Sequence, residues 1–284
     1  MSDPLAAPLA RLQAEGRLRV WSLAVTIFGD AAAPRGGALS MADLTRLLAR
    51  LGAEPGAVRT AMSRLARDGW VERRRAGRRS YYRLAQRGLE ESLAAAPRIY
   101  AAEPPEWDGR WTVVFAVDGE APAGFRRIAP GAWIAPGDAP CDAPGVFAIR
   151  GGRGAPPDWA RAALSPPPLA ERYAALEAAW EGFAPPEEPE AAMAARTLLI
   201  HDWRRTLLRD APLPRALRPA GWPGAAARAL VARLYHALLP ASEVWLDGCE
   251  AAPGAQPPPA GPALLARFGG PSVHPDQELS PIRP

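Results

Sequence analysis

The sequence predicts an α+β protein of several consecutive domains, and three observations carry that prediction. A short amphipathic helix runs directly into GWVERRRAGRRSYYRL, Gly69 to Leu84, two strand-like arms around Ala76-Gly77 that carry six arginines. Three short runs of strand formers between Pro/Gly turns follow in mid-chain, and a later region repeats apolar residues at helical spacing. A chain of 284 residues is also longer than one small core organises.

Composition narrows the classes. The hydrophobic fraction of 48% is that of a globular chain. No apolar run approaches the roughly 18 to 20 residues of a membrane span, and Val20 to Phe28 is too short and lacks a cleavage-type flank, so a cytoplasmic protein with no membrane partner is expected. Cys141 and Cys249 lie far apart, as do His201, His236 and His274, which suggests neither a disulfide framework nor a metal or cofactor site. The charge is uneven. Through Tyr100 there are 17 arginines against 9 acids, whereas the remainder has 17 against 21. Every basic residue is arginine, whose planar fork grips a phosphate or a guanine edge in bidentate fashion.

Residues 1–16 are Ala/Pro-rich and read as a flexible terminus. From Arg17 a helix carries Leu18, Trp21, Leu23, Val25 and Phe28 until Gly29-Asp30 ends it, and AAAPRGGALS reads as a loop. Ser40 followed by Asp43 resembles a capping box, Leu44, Leu47, Leu48 and Leu51 form one stripe, and Gly52 closes that helix. Pro55 suits the first turn of the next, because its missing amide would be unpaired there. That helix turns Val58, Met62 and Leu65 inward and Arg59, Thr60, Ser63, Arg64 and Arg67 outward. Helix, tight turn, helix and basic hairpin is the order of a winged helix-turn-helix, placed at residues 17–100 with a connecting helix from Gly88 to Tyr100.

After the linker AAEPPEWDG, the strand candidates WTVVFAV, GAWIAPG and GVFAIRG and a helix from Leu169 to Phe183 describe a small α+β domain over residues 106–184. PPEEPE marks a boundary. A helical C-terminal domain, residues 190–249, shows one pattern from about Glu190 to Arg209, another from Pro223 to Leu239, and a short segment around Ser242 to Asp247. Residues 250–284 are Pro/Gly/Ala-rich and read as a largely disordered tail.

The stretches SLAVTIFGDAAAPRGG, VRTAMSRLARDGWVERRRAGRRSYYRL, WDGRWTVVFAV, APGAWIAPG, LIHDWRRTLLRDAPLP and GWPGAAARAL occur in one order across roughly residues 17 to 247. They resemble the PaaX family of bacterial transcriptional repressors, which control phenylacetic acid and related aromatic catabolism. The resemblance implies a winged helix, a middle ferredoxin-like domain similar to Cas2, and a helical C-terminal domain. It further implies a homodimer that holds a palindromic operator on double-stranded DNA and leaves when an aryl-CoA such as phenylacetyl-CoA binds. Two departures stand out. Only about a dozen residues join Val117 to APGAWI, so the first helix of the middle domain is expected to be shortened or lost, and the tail is long.

The outward face of the third helix is expected in the major groove, with Arg59 and Arg64 addressing guanine edges and Thr60 and Ser63 bases or phosphate; a solvated face charged for solubility is the plain alternative. The hairpin arginines Arg73, Arg74, Arg75, Arg78 and Arg79 are expected on phosphates or in a narrowed minor groove, although strand alternation prevents all five from pointing one way. Tyr81 and Tyr82 read as packing residues. For an acyl-CoA-type effector, His201, Arg204, Arg205 and Arg209 are the candidates, against the reading of a solvated helix face and a C-terminal cap. Trp203 and Trp222 could line an aryl pocket, but buried tryptophan is more often core.

No HExxH, GxSxG, P-loop or dinucleotide fingerprint occurs, so no catalytic residue and no enzyme activity are expected. The rivals are an effector-independent DNA-binding protein and a Cas2-like metal-dependent nuclease, for which Asp118 is the nearest acid, though a lone aspartate is more often a turn residue.

Overall fold

The computed structural model describes residues 4–16, 18–115, 124–141, 145–152, 154 and 156–270. Asp118 and the segment that would carry the first helix of the middle domain lie outside the described residues. Ten α-helices and two antiparallel sheets occur among the described residues. Two compact units emerge: Met1–Ala102, Ala179–Trp203 and Leu230–Pro284 form the first, and Glu103–Ala178 with Arg204–Ala229 the second. They differ from the consecutive divisions expected from the linkers, because residues 179–203 and 230–249 join the amino-terminal part.

The first unit begins with α1, Ala6–Ala14, which buries Leu12 and pairs Arg11 with Asp202. The terminus expected to fray is therefore anchored by an apolar contact and an ion pair. In α2, Val20–Ile27, the helical path does not stop at Gly29-Asp30: a π-helical turn, Phe28–Ala32, and a 3₁₀ turn, Ala33–Arg35, carry it on. Asp30 stays inside because it is fully partnered. Its carboxylate accepts from Arg196 Nε at 2.7 Å, Tyr100 OH at 2.7 Å, Arg267 Nη1 at 2.9 Å and Tyr235 OH at 3.2 Å.

Strand β1, Leu39–Ser40, leads into α3, Met41–Arg50, whose start is capped as its sequence predicts: the Asp43 amide donates to Ser40 Oγ at 3.0 Å and Ser40 Oγ donates to Asp43 Oδ2 at 2.7 Å. The next helix, α4, Pro55–Arg67, places its proline in the first turn. Both helices end in the same way. Gly52 (φ +79°) and Gly69 (φ +72°) take the left-handed conformation after them, and the amides of Ala53 and Trp70 reach back to the carbonyls of Leu48 and Leu65. Strands β2, Val71–Ala76, and β3, Arg79–Leu84, pair as a hairpin, and β1 adds on the other side of β3 with Leu39 opposite Tyr82. Helix α5, Gln86–Ile99, follows at once.

The second unit holds β4, Trp111–Phe115, β5, Arg126–Ala129, β6, Ala132–Pro136, and β7, Phe147–Gly151, in the order β5-β6-β4-β7 with every neighbour antiparallel. Sequence reading anticipated β4, β6 and β7 but not β5, a four-residue edge strand that begins with two arginines. One apolar cluster gathers Trp111, Leu164, Ala211, Leu213 and Leu217, another Val114, Phe125, Trp133 and Ala135. Helix α6, Asp158–Leu164, follows the last strand, and α7 spans Pro167–Trp180. A buried polar cluster ties this unit together: Tyr173 OH donates to Asp210 Oδ2 at 3.0 Å, and Arg218 bonds Asp210, Ser165 Oγ and the Ala211 carbonyl.

Helix α8 covers Pro189–Leu207 and α9 covers Gly224–Asp247. The break expected between Leu239 and Ser242 is absent, since α9 runs through Pro240. Buried Leu238, Leu239, Trp245 and Leu246 on either side hold the helix continuous where proline removes one amide. The segment after Glu250 is not a structureless tail as far as Gly270: α10, Pro262–Leu265, and a turn at Arg267–Gly269 bury Leu264 and Phe268. Arg35 fastens it, donating to the Pro258 carbonyl at 2.6 Å while pairing with Glu243 and Asp247.

Candidate nucleic-acid interface

Helix α4 is divided cleanly. Val58, Ala61, Met62 and Leu65 are buried, while Arg59, Thr60, Ser63, Arg64 and Arg67 are exposed and line one open depression of about 400 Å³. The burial of one stripe fixes the rotation of the helix, and so it fixes which side chains face out. Arg64 and Arg67 share Asp68, at 3.4 and 3.5 Å. Arg59 has no ion pair among the described residues. Thr60 Oγ donates to the Gly56 carbonyl at 3.0 Å, leaving its oxygen able to accept.

The hairpin sorts its arginines into two kinds. Arg74, Arg75 and Arg78 are exposed and without an ion pair among the described residues. Two others are occupied. Arg73 donates to Ser80 Oγ at 2.8 Å and lies over the Tyr82 ring. Arg79 Nη1 donates to both oxygens of Glu250 at 2.6 and 2.7 Å, and Tyr81 OH donates to Glu250 Oε2 at 3.1 Å. Some desolvation raises the Glu250 pKa, but the hydrogen bonds from Arg79 and Tyr81 outweigh it and hold the carboxyl below its ordinary value. The Glu250 amide in turn donates to Asp43 Oδ2 at 3.1 Å, which links hairpin, α3 and the end of α9. Sequence reasoning missed Glu250. It lies 171 positions from Arg79, and no local pattern marks it.

Tyr81 and Tyr82 are both buried, at 2% exposure, although successive strand residues point to opposite faces. Both faces of the small sheet are therefore covered at this point, and the Tyr81 side is closed by the Glu250 segment. Arg46 and Arg50 of α3, also exposed, are paired with Glu190 and Glu188 at 2.8 and 3.5 Å. They are therefore not open cations.

The effector candidates are placed differently from one another. His201 is buried in the first unit with Nδ1 at 3.2 Å from Thr26 Oγ1. Arg204 and Arg205 are half-buried and Arg209 is exposed in the second unit. Trp203 is fully buried and donates to the Ile99 carbonyl at 2.8 Å, a core role, whereas Trp222 is half-buried under the Arg218 guanidinium. Among the described residues no cluster of His, Cys, Asp and Glu is arranged to hold a metal ion, and no helix is long and apolar enough to cross a membrane. Cys141 and Cys249 are free thiols, and burial pushes that of Cys249 far up.

Comparison with known proteins meets this geometry at both ends of the chain. Residues 19–88 match the family described as PaaX-like protein, and residues 168–248 match the family described as PaaX-like protein C-terminal domain. The transcriptional repressor PaaX of Escherichia coli (strain K12) is 33% identical, over 88% of this chain and 90% of that protein. Among solved structures, an uncharacterized protein, Rv0674 from Mycobacterium tuberculosis, is similar in fold, with a TM-score of 0.51 at 21% identity, over 72% of this chain and 90% of that one.

Proposed function

The chain belongs to the PaaX family of transcriptional repressors, and from that premise we propose that residues 17–100 act as a winged helix-turn-helix, with α4 in the major groove of duplex DNA and the β2–β3 hairpin along its backbone. One observation carries this reading. The five outward side chains of α4 are polar or cationic, exposed and line one depression, and the hairpin that follows α4 in the chain carries three exposed arginines that have no ion pair among the described residues. Arg59 and Arg64 then address guanine edges, Thr60 and Ser63 bases or phosphate, and Arg67 the backbone. Arg74, Arg75 and Arg78 are the phosphate contacts of the hairpin. Arg73 and Arg79 set its posture, and Arg79 reaches DNA only by exchanging Glu250 for a phosphate.

In this proposal the protein is a cytoplasmic homodimer on a palindromic operator of a phenylacetate-type catabolic operon. The second unit is read as ferredoxin-like, a reading supported by its strand order, in which the first and third strands lie side by side in the centre. An aryl-CoA effector such as phenylacetyl-CoA releases the complex by binding the DNA-incompetent arrangement more tightly; a few kcal/mol of differential affinity switches occupancy. His201 is enclosed beside Thr26, so the reading gives the effector phosphates to the less buried Arg204, Arg205 and Arg209.

The test is fluorescence anisotropy with the palindrome upstream of the chain's own operon and a scrambled duplex, at two salt concentrations. A specific repressor prefers the palindrome on the order of a thousandfold or more. Equal affinity for both duplexes would overturn the reading in favour of a general DNA binder.

A further inference from the structure

Between the helical turn at residues 28–35, α5 and α10 runs a groove of about 420 Å³, inside the size range of small-molecule sites. Pro34, Leu89, Leu93, Ala96 and Leu264 make its walls apolar, and Leu93 stands 61% exposed at it. Arg267 is the cation that lines it. That guanidinium is fixed before any ligand arrives: it lies 3.7 Å over the Tyr100 ring, and Nη1 donates to the Asp30 carbonyl, Asp30 Oδ1 and Tyr235 OH at 2.8 to 2.9 Å. Its Nε and Nη2 have no hydrogen-bond partner among the described residues. Asp30, the carboxylate it pairs with among the described residues, is shared with Arg196, so it does not answer Arg267 alone. Apolar walls with one preorganised arginine edge complement an apolar molecule that ends in a carboxylate.

The walls of the groove are continuous with the reading head. Helix α5 starts two residues after β3 ends, and Gly88 in α5 is packed so closely on the turn between α4 and β2 that a Cβ there would lie 2.2 Å from the Trp70 carbonyl oxygen. A ligand that displaces α5 therefore displaces the hairpin.

We propose that this groove binds a small apolar carboxylic acid, with its carboxylate on Arg267 and its body against Leu89, Leu93 and Leu264, and that occupancy weakens DNA binding through α5. The second half rests on the DNA-binding reading above; the first does not. Full-length protein is titrated with anilinonaphthalene sulfonate, an apolar anion, and the bound probe is displaced with octanoate, phenylacetate or methyl octanoate. The expectation is one saturable site, displaced at least tenfold better by the two carboxylates than by the neutral ester. Leu93→Asp, at an exposed position that leaves the fold intact, weakens the probe tenfold or more. Phe147→Asp, which removes the exposed aromatic patch of β7, leaves it unchanged. Absence of a saturable site, equal displacement by the ester, or loss in Phe147→Asp alone would each overturn the site. Duplex retardation with and without saturating octanoate then reads the coupling: release of wild type but not of Leu93→Asp supports it, and unchanged retardation overturns it. A chain that retards no duplex sinks the DNA-binding reading and the coupling together, while the ligand result stands on its own.

Discussion

The exposed face of α4 and its hairpin and the enclosed surroundings of Asp30 use the same side chain to opposite ends. Arg59, Arg74, Arg75 and Arg78 are in water without an ion pair among the described residues. Arg196 has no exposed surface, and donates to Asp30, to Glu243 Oε1 at 2.6 Å, to Ser242 Oγ at 3.1 Å and to Tyr235 OH at 3.3 Å. Burial lowers the pKa of Arg196, and the facing Asp30, Tyr235 and Glu243 more than reverse it, so the group stays charged. A solvated guanidinium can trade water for phosphate at little cost, whereas an enclosed one has to be matched by the protein itself. The difference teaches that arginine content alone does not locate function. The partners decide.

The comparison yields a graded set of expected outcomes. Replacing Arg196 by Met leaves Asp30 and Glu243 short of a partner in the core, and unfolding in urea should report a loss of about 3 to 5 kcal/mol; a loss no larger than that of Arg75→Ala would erase the distinction between the two regions. Asp202 is next. Burial raises its pKa to about 6 against the lowering pull of Arg11 and the Trp180 indole, which donates at 3.1 Å. The folded state thus favours the protonated acid, so this contribution to stability is complete below the ordinary carboxylate value and is lost as pH rises through about 6. Wild type should lose up to about 3 kcal/mol relative to Asp202→Asn between pH 4 and pH 7, and parallel stability curves for the two would refute it.

On the exposed side the effects shift from folding to binding. Arg59→Ala should cost about 1 to 3 kcal/mol of discrimination between operator and scrambled duplex with stability unchanged; uniform loss on every sequence would remove it from base reading. Arg78→Ala should weaken all duplexes alike and reduce the slope of log affinity against log salt by about one. The smallest change is expected of Glu250→Gln, which frees Arg79 and should strengthen binding to any duplex a few-fold at low salt. Weaker binding instead would mean that the posture of the hairpin, which Glu250 fixes, matters more than one extra cation.

These two regions also mark how far the sequence could be read. The capping box at Ser40, the proline at the start of α4, the left-handed glycines after α3 and α4 and the alternating hairpin are encoded by neighbours a few positions apart, so the outward set Arg59 to Arg67 followed from the chain alone. Family membership was equally legible in the strings that flank them. What the tertiary structure decided was every pairing across long separations: Asp30 with Arg196 and Arg267, Arg79 with Glu250, and Arg11 with Asp202. Those contacts turned an apparent helix end at Gly29-Asp30 into a buried centre and gave residues 251–270 a fixed place, while burial of Leu238, Leu239, Trp245 and Leu246 kept α9 continuous through Pro240. The physical reason is that propensity and capping act through local backbone geometry, whereas the partner of a buried charge is set by which distant surfaces come together when the core closes.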